Sequence, residues 1–280
     1  MSINYALIGA AGYVAPKHMK AIKETGGNLI ACVDPHDSVG VLDSYFPECY
    51  YFNTWERFDR FCHNNEIDYI VICSPNYLHE TQIRWALRMG FDVICEKPLA
   101  LCEHNLQAIK RTELETGKKV NVILQLRLME QLIKLKASVE SKHKVSLIYI
   151  TPRGNWYNWS WKGDESKSGG LATNIGVHLF DLLCWLFGSH YNIRLSCKDK
   201  NTVAGKLLLD KADVDFILSI NGCSPERSMI MDGQEIDFNN NFTNLHTKSY
   251  KLILSGLGFG VDDTVPSISI CERIRGAEVE

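Results

Sequence analysis

Lys97 lies between Glu96 and Pro98, directly after the apolar run Phe91–Cys95. A lysine so placed can hydrogen-bond a substrate hydroxyl, or act as a base where burial lowers its pKa. A surface Glu–Lys ion pair would use the same two residues. Further on, Ser168–Asp181 reads SGGLATNIGVHLFD. On a continuous helix Asn174, His178 and Asp181 fall along one face, at steps of four and three. A histidine beside an amide and a carboxylate can be fixed in one tautomer and exchange protons near neutral pH. A core histidine with its hydrogen bonds satisfied would give the same pattern. Thr151–Gly163, TPRGNWYNWSWKG, gathers three tryptophans, a tyrosine, Arg153 and Lys162. These groups could stack on a base or sugar and neutralise a phosphate or carboxylate. An aromatic sheet surface at a subunit contact explains them nearly as well.

The elements that must position these residues begin at the first strand. Tyr5–Ile8 is a short apolar run broken at Gly9, and a helix through His18, Ala21 and Ile22 follows. Strand, glycine turn and helix aim helix amides at a pyrophosphate. Gly9 permits the tight turn, Gly12 lets the backbone approach a phosphate, and Ala15 lets the helix pack close to the strand. A second apolar strand, Asn28–Val33, ends in Asp34, where a carboxylate would accept hydrogen bonds from the adenosine ribose. That charge repels a 2′-phosphate and favours NAD over NADP. As a turn residue before Pro35, Asp34 would look the same.

Downstream, Trp55, Phe58 and Phe61 repeat at helical spacing and are expected to face the core. Asp68–Cys73 reads as a strand leading into Ser74-Pro75-Asn76-Tyr77-Leu78-His79, and Val120–Gln125 as another. Strands then predominate: 144–151, 195–196, 204–209, 214–220, 229–231 and 234–238. They are interrupted by a helix over 173–186 and followed by helices over 244–254 and 267–274. The pattern predicts an α/β protein: an N-terminal Rossmann doubly wound parallel sheet, then a C-terminal α+β domain with a large open, mostly antiparallel sheet. The expected division is residues 1–120 for NAD binding and 121–280 for substrate binding and oligomerisation, with the active site in the cleft between them.

Composition excludes several classes. A 280-residue chain, 45% hydrophobic and 22% charged, with a net charge of −3, gives no reason to expect nucleic acid or an anionic membrane as partner. Residues 1–8 lead straight into a strand and do not read as a signal peptide. No apolar run is expected to reach membrane-spanning length. The ten cysteines include no C-x-x-C pair, and Cys32, Cys73 and Cys95 sit in apolar strands. Reduced thiols in a cytoplasmic protein, with no metal site, are the simplest account.

Taken together, Gly9–Ala15, Ser74–His79, Glu96-Lys97-Pro98 and Gly176–Asp181 resemble the glucose–fructose oxidoreductase/inositol dehydrogenase (Gfo/Idh/MocA) family. Glu56–Arg60, Ile123–Leu128, Thr151–Tyr157, Ser160–Gly163 and Gly169–His178 are similar to one branch, the UDP-N-acetylglucosaminuronate (UDP-GlcNAcA) 3-dehydrogenases of surface-polysaccharide synthesis. Asn174, an aspartate in many other members, marks that branch. The resemblance implies NAD-dependent oxidation of the sugar C3 hydroxyl, with Lys97 and His178 as catalytic residues. Either of the two could be the base, and His178 is the preferred one. It implies nucleotide contacts at Gly9, Gly12, Tyr13, Val14, Asp34, Ser74, Asn76, His79, Glu96, Lys97 and Gln125. Arg153, Trp161, Lys162, Asn174 and His178 would hold the UDP-sugar uronate. Some relatives have their cofactor reoxidised in place by 2-oxoglutarate, and family habit points to a homotetramer. A dehydrogenase of another nucleotide sugar, or a non-catalytic sensor of the same fold, is the alternative.

Overall fold

The computed structural model describes residues 2–238 and 244–279. Two compact units form, one from Met1–Leu99, His104–Ile123 and Asn244–Asp262, the other from Ala100–Glu103, Leu124–Thr243 and Asp263–Glu280.

In the first unit, β1 (Asn4–Ile8), β2 (Asn28–Val33), β3 (Tyr50–Phe52), β4 (Tyr69–Ile72), β5 (Asp92–Cys95) and β6 (Val120–Val122) form a parallel sheet ordered β3-β2-β1-β4-β5-β6. Helices α1 (Ala15–Glu24), α2 (Leu42–Tyr45), α3 (Trp55–His63), α4 (His79–Arg88) and α5 (Glu103–Thr116) connect the strands. The central strands are apolar throughout because both sheet faces are covered. Strand order reverses between β1 and β4, so the carboxyl ends of β1, β2, β4 and β5 line one edge at the switch point. Of the three aromatics expected in the core, only Phe58 is fully buried. Trp55 is 36% exposed and rests on Trp85, while Phe61 packs on Tyr50 and Phe52. Because β3 is an edge strand, α3 has little sheet to cover and buries a single row.

In the second unit, α6 (Glu130–Ser138), β7 (His143–Ile150), α7 (Trp156–Trp159), α8 (Glu165–Ser168) and α9 (Val177–Phe187) precede β8 (Tyr191–Lys198), β9 (Thr202–Leu209), β10 (Ala212–Ser219), β11 (Glu226–Met231) and β12 (Gln234–Glu235). The sheet order is β12-β11-β7-β10-β9-β8, with β7–β10 parallel and the other pairs antiparallel. α9 packs on this sheet, the Phe180 ring meeting Phe216 edge-on at 5.5 Å.

The helix expected over 173–186 divides in two. A π-helical turn at Ala172–Gly176 precedes α9. The π turn departs from the continuous α-helix that the spacing assumes. Gly176 is close-packed by a side chain: a Cβ there would sit 2.5 Å from Leu218 Cδ1. The expectation that no run reaches membrane-spanning length is corrected here. Glu165–Phe187 is 23 residues long and apolar enough by composition, with a mean hydropathy of 1.4 in its most apolar window. Since 78% of that window is buried inside the protein, its apolarity belongs to the core.

The chain closes with α10 (Leu245–Leu254) and α11 (Val261–Gly276), the latter running through Pro266 and starting earlier than its periodicity suggests. α10 packs on α1 and inserts Tyr250 and Ile253 into the core around Tyr5, Leu7 and Met19. The second half of the chain is therefore not one domain from residue 121 onward: Asn244–Asp262 belongs with the first unit. An apolar helix face carries no label for the core it will join.

Candidate functional site

Gly9 follows β1 directly, with φ +90°, and its N–H donates to Val33 O at 2.8 Å. A Cβ at Gly9 would lie 2.7 Å from the Cys73 carbonyl carbon, and one at Gly12 would lie 3.1 Å from Gly9 O. Backbone thus closes Gly9 to a side chain and crowds one at Gly12, which keeps the turn flat before α1. Among the described residues no side chain caps α1, which leaves its first turn available to an anion. Tyr13 projects from the turn, 93% exposed, with Lys17 Nζ 5.7 Å from its ring; Val14 is half-buried. Asp34 ends β2 and is buried. Its two carboxylate oxygens accept from Ala11 N and His36 N, each at 2.9 Å, so it ties the glycine turn to the second strand and keeps lone pairs for a ribose.

At the end of β4, Ser74 donates to Gln82 at 2.5 Å, and Asn76 is buried in the following turn. His79 is 1% exposed. Its ring nitrogens lie 2.7 Å from Pro98 O and 2.8 Å from Ser74 O, so it joins the loops after β4 and β5. At the end of β5, Glu96 is buried and Lys97 half-buried. Burial lowers the Lys97 pKa; the Glu96 charge opposes this and the nearby Lys17 charge adds to it.

Three residues that the sequence reading did not assign to the site surround Glu96. His18 Nε2 lies 3.0 Å and His246 Nε2 2.9 Å from the same Glu96 Oε1, while Tyr250 Oη is 2.9 Å from His18 Nδ1. Burial alone would raise the Glu96 pKa. The two histidine hydrogen bonds reverse that and hold it well below the usual carboxylate range. His18 was legible only as an apolar-face position, and His246 and Tyr250 fell in a helix expected to serve the other domain.

The remaining candidates are carried by the second unit. Gln125 is half-buried, and its Oε1 is a buried acceptor without a hydrogen-bond partner among the described residues. Asn174 Nδ2 donates to Tyr157 Oη at 2.7 Å. Trp161 and Lys162 are half-buried, with Lys162 Nζ 4.5 Å from the Trp161 ring centroid and 5.7 Å from that of Trp156. Burial, then the Arg153 charge, lowers the Lys162 pKa; two cations that repel one another are suited to an anionic ligand. Arg153 itself is exposed. His178 is half-buried and packs edge-on against Tyr149 at 5.5 Å, and Arg227 covers the same tyrosine ring at 5.0 Å.

Of the row of Asn174, His178 and Asp181, the carboxylate is engaged elsewhere. Asp181 turns into the core, where Arg127 grips it through Nε at 3.1 Å and Nη2 at 2.7 Å, and Arg127 Nη1 reaches Asp263 at 2.8 Å. Arg127 was visible in the sequence only as part of Gln-Leu-Arg-Leu.

Residues 3–124 match the oxidoreductase family with an NAD-binding Rossmann fold, and residues 142–220 match that family's C-terminal α/β domain. The chain belongs to the Gfo/Idh/MocA oxidoreductase family. It is an NAD-dependent oxidoreductase, and the closed glycine turn, uncapped α1 and Asp34 fit that cofactor. Among solved structures of Gfo/Idh/MocA type, it is similar to the WlbA (WbpB) dehydrogenase of Thermus thermophilus. That enzyme in complex with NAD and alpha-ketoglutarate is 42% identical, with a TM-score of 0.96, over 99% of this chain and 96% of the other. In complex with NAD and UDP-GlcNAcA it is 41% identical at TM-score 0.95, with the same coverage. Curated relatives are more distant. The 2,7-anhydro-N-acetylneuraminate hydratase of Mediterraneibacter gnavus is 26% identical over 66% of this chain, and the inositol 2-dehydrogenase of Rhizobium meliloti 24% over 76%. The matches span 49% and 61% of those two proteins.

Proposed function

We propose that this chain oxidises the C3 hydroxyl of UDP-N-acetyl-D-glucosaminuronate to the 3-keto sugar. The observation that carries this reading is the likeness, over nearly the whole chain, to the Thermus dehydrogenase solved with NAD and UDP-GlcNAcA. Gly9, Gly12, Tyr13, Val14, Asp34, Ser74, Asn76, His79, Glu96, Lys97 and Gln125 are assigned to the nucleotide cofactor. NAD held there supplies the hydride acceptor. His178 takes the hydroxyl proton, and the Lys97 ammonium donates to the same oxygen and stabilises its developing charge. Arg153, Trp161, Lys162 and Asn174 hold the diphosphate and uronate. The reading requires Lys97 and His178 to meet at one sugar carbon. The keto sugar goes on to transamination in surface-polysaccharide (O-antigen) synthesis, and 2-oxoglutarate serves as the final oxidant.

The assembly we assign is a homotetramer packed through the open sheet. Ile217 and Ile230 stand 41% and 39% exposed on that sheet, and Ile217 pairs with Ile148 in the parallel ladder. A mass of four chains by light scattering is expected.

The test is nicotinamide reduction on adding UDP-GlcNAcA, with and without 2-oxoglutarate. Reduction that disappears in Lys97→Ala and His178→Ala supports the assignment. Reduction by a different nucleotide sugar replaces the substrate, and failure with every sugar moves the protein to the sensor class.

A further inference from the structure

We propose that His18, His246 and Tyr250 are positioning residues that fix the Glu96 carboxylate behind Lys97 and so keep Lys97 cationic for its role at the sugar oxygen. The inference rests on the assignment of Lys97 to the reaction, and its own readout is independent of the substrate.

With Glu96 ionised and both histidines neutral, the hydrogen bonds allow one proton arrangement. Glu96 Oε1 accepts from both histidines, so each carries its proton on Nε2. His18 Nδ1 is then an acceptor, and Tyr250 Oη donates to it. The His18 and His246 rings meet edge-on at 5.0 Å, and His18 also packs edge-on against Tyr250, which locks the array laterally. All four side chains are buried, Tyr250 and His18 completely. A lone buried carboxylate would take up a proton; two N–H donors on one oxygen keep it charged.

The same three ligand-type side chains, His18, Glu96 and His246, could be read as a metal site. Their spacing argues against it. Separations of 2.9 and 3.0 Å are hydrogen-bond lengths, whereas neighbouring ligands on a tetrahedral zinc ion stand about 3.3 Å apart.

The charges around the pair give the effect its direction. Lys97 senses Glu96 beside it and Lys17 from α1, and it acts in turn on His79 from α4. Glu96 faces His18 from α1 and His246 from α10. Its charge also reaches the thiols of Cys73 and Cys95, the Tyr250 phenol and His79. Of these groups only the Glu96 carboxylate offsets burial at Lys97. α10 thus joins the fold of the first unit to the charge state of a residue at its ligand edge.

The experiment titrates the Lys97 side chain by NMR in lysine-labelled holoenzyme, with the resonance assigned by its loss in Lys97→Met. In His246→Leu the midpoint is expected to fall by about one pH unit, as Glu96 loses one of its two N–H donors and holds its charge less well. His246→Gln, which keeps an N–H donor, restores it. Tyr250→Phe, which removes one hydroxyl and leaves the packing, lowers it in the same direction by less. Where UDP-GlcNAcA is turned over, the basic limb of kcat moves to lower pH in step, while variants that only loosen the fold lower the melting temperature without moving the limb. An unchanged Lys97 midpoint in both His246→Leu and Tyr250→Phe overturns the proposal. So does one equivalent of zinc in the purified protein. A moved midpoint without turnover of this sugar retains the array and rejects the substrate.

Discussion

Arg127 and Asp181 face each other through two parallel hydrogen bonds inside the second unit, each side chain less than 10% exposed. The carboxylate one turn after His178 is therefore a structural group. Removing Arg127 leaves the buried Asp181 charge without the partner that holds it. Arg127→Met is expected to cost about 3–5 kcal/mol in urea unfolding. Arg127→Met combined with Asp181→Leu should recover much of that loss, and a strictly additive double variant would refute the pairing.

Gly9→Ala meets a positive φ and the Cys73 backbone at once. Loss of stability of about 1–3 kcal/mol is expected, together with at least tenfold weaker NAD binding by calorimetry. Gly40→Ala, where a Cβ would touch none of the described residues within 4 Å, is the matched control and should leave both quantities unchanged.

Asp34→Asn keeps acceptor capacity for Ala11 and His36 on one oxygen only and removes the charge. NAD affinity should fall and the preference for NAD over NADP should narrow, each by about tenfold, as competition binding would show. An unchanged ratio would make Asp34 a turn residue.

Acid should destabilise the first unit before its carboxylates titrate. Burial lowers the pKa of both His18 and His79 from the ordinary value of 6.5. The unfolded chain then binds more protons than the folded one just below pH 6.5, so stability rises with pH across that window and falls as pH drops through it. Unfolding free energies measured between pH 7 and 5 should show that slope, and His18→Gln should flatten it. A slope equal in both proteins would exclude His18 as its source.

Most of the parallel sheet was legible because its central strands are apolar runs, and β1, β2 and β5 end at Gly9, Asp34 and Glu96-Lys97; the edge strand β3, inside an aromatic stretch, was not. The second sheet was legible as alternating strands, but the parallel β7–β10 pair was not, since alternation does not encode strand direction. In the Asn174–His178–Asp181 face the carboxylate belongs to Arg127, a partner that residue spacing along one helix does not show. Arg127, His246 and Tyr250 escaped notice for the same reason. Each acts on a partner more than 50 positions away, and local pattern holds no record of such pairs.

Tyr250 contributes to a core whose first strand begins at Asn4. During synthesis that core stays incomplete until α10 has left the ribosome. The intervening residues must collapse while α1 still exposes the apolar face that α10 will cover. Such a closure has high contact order, which slows folding and lengthens the interval in which a nascent chain can aggregate. A fragment ending at Ile123 should accordingly be chaperone-dependent and protease-sensitive, even though it holds all six strands of the parallel sheet.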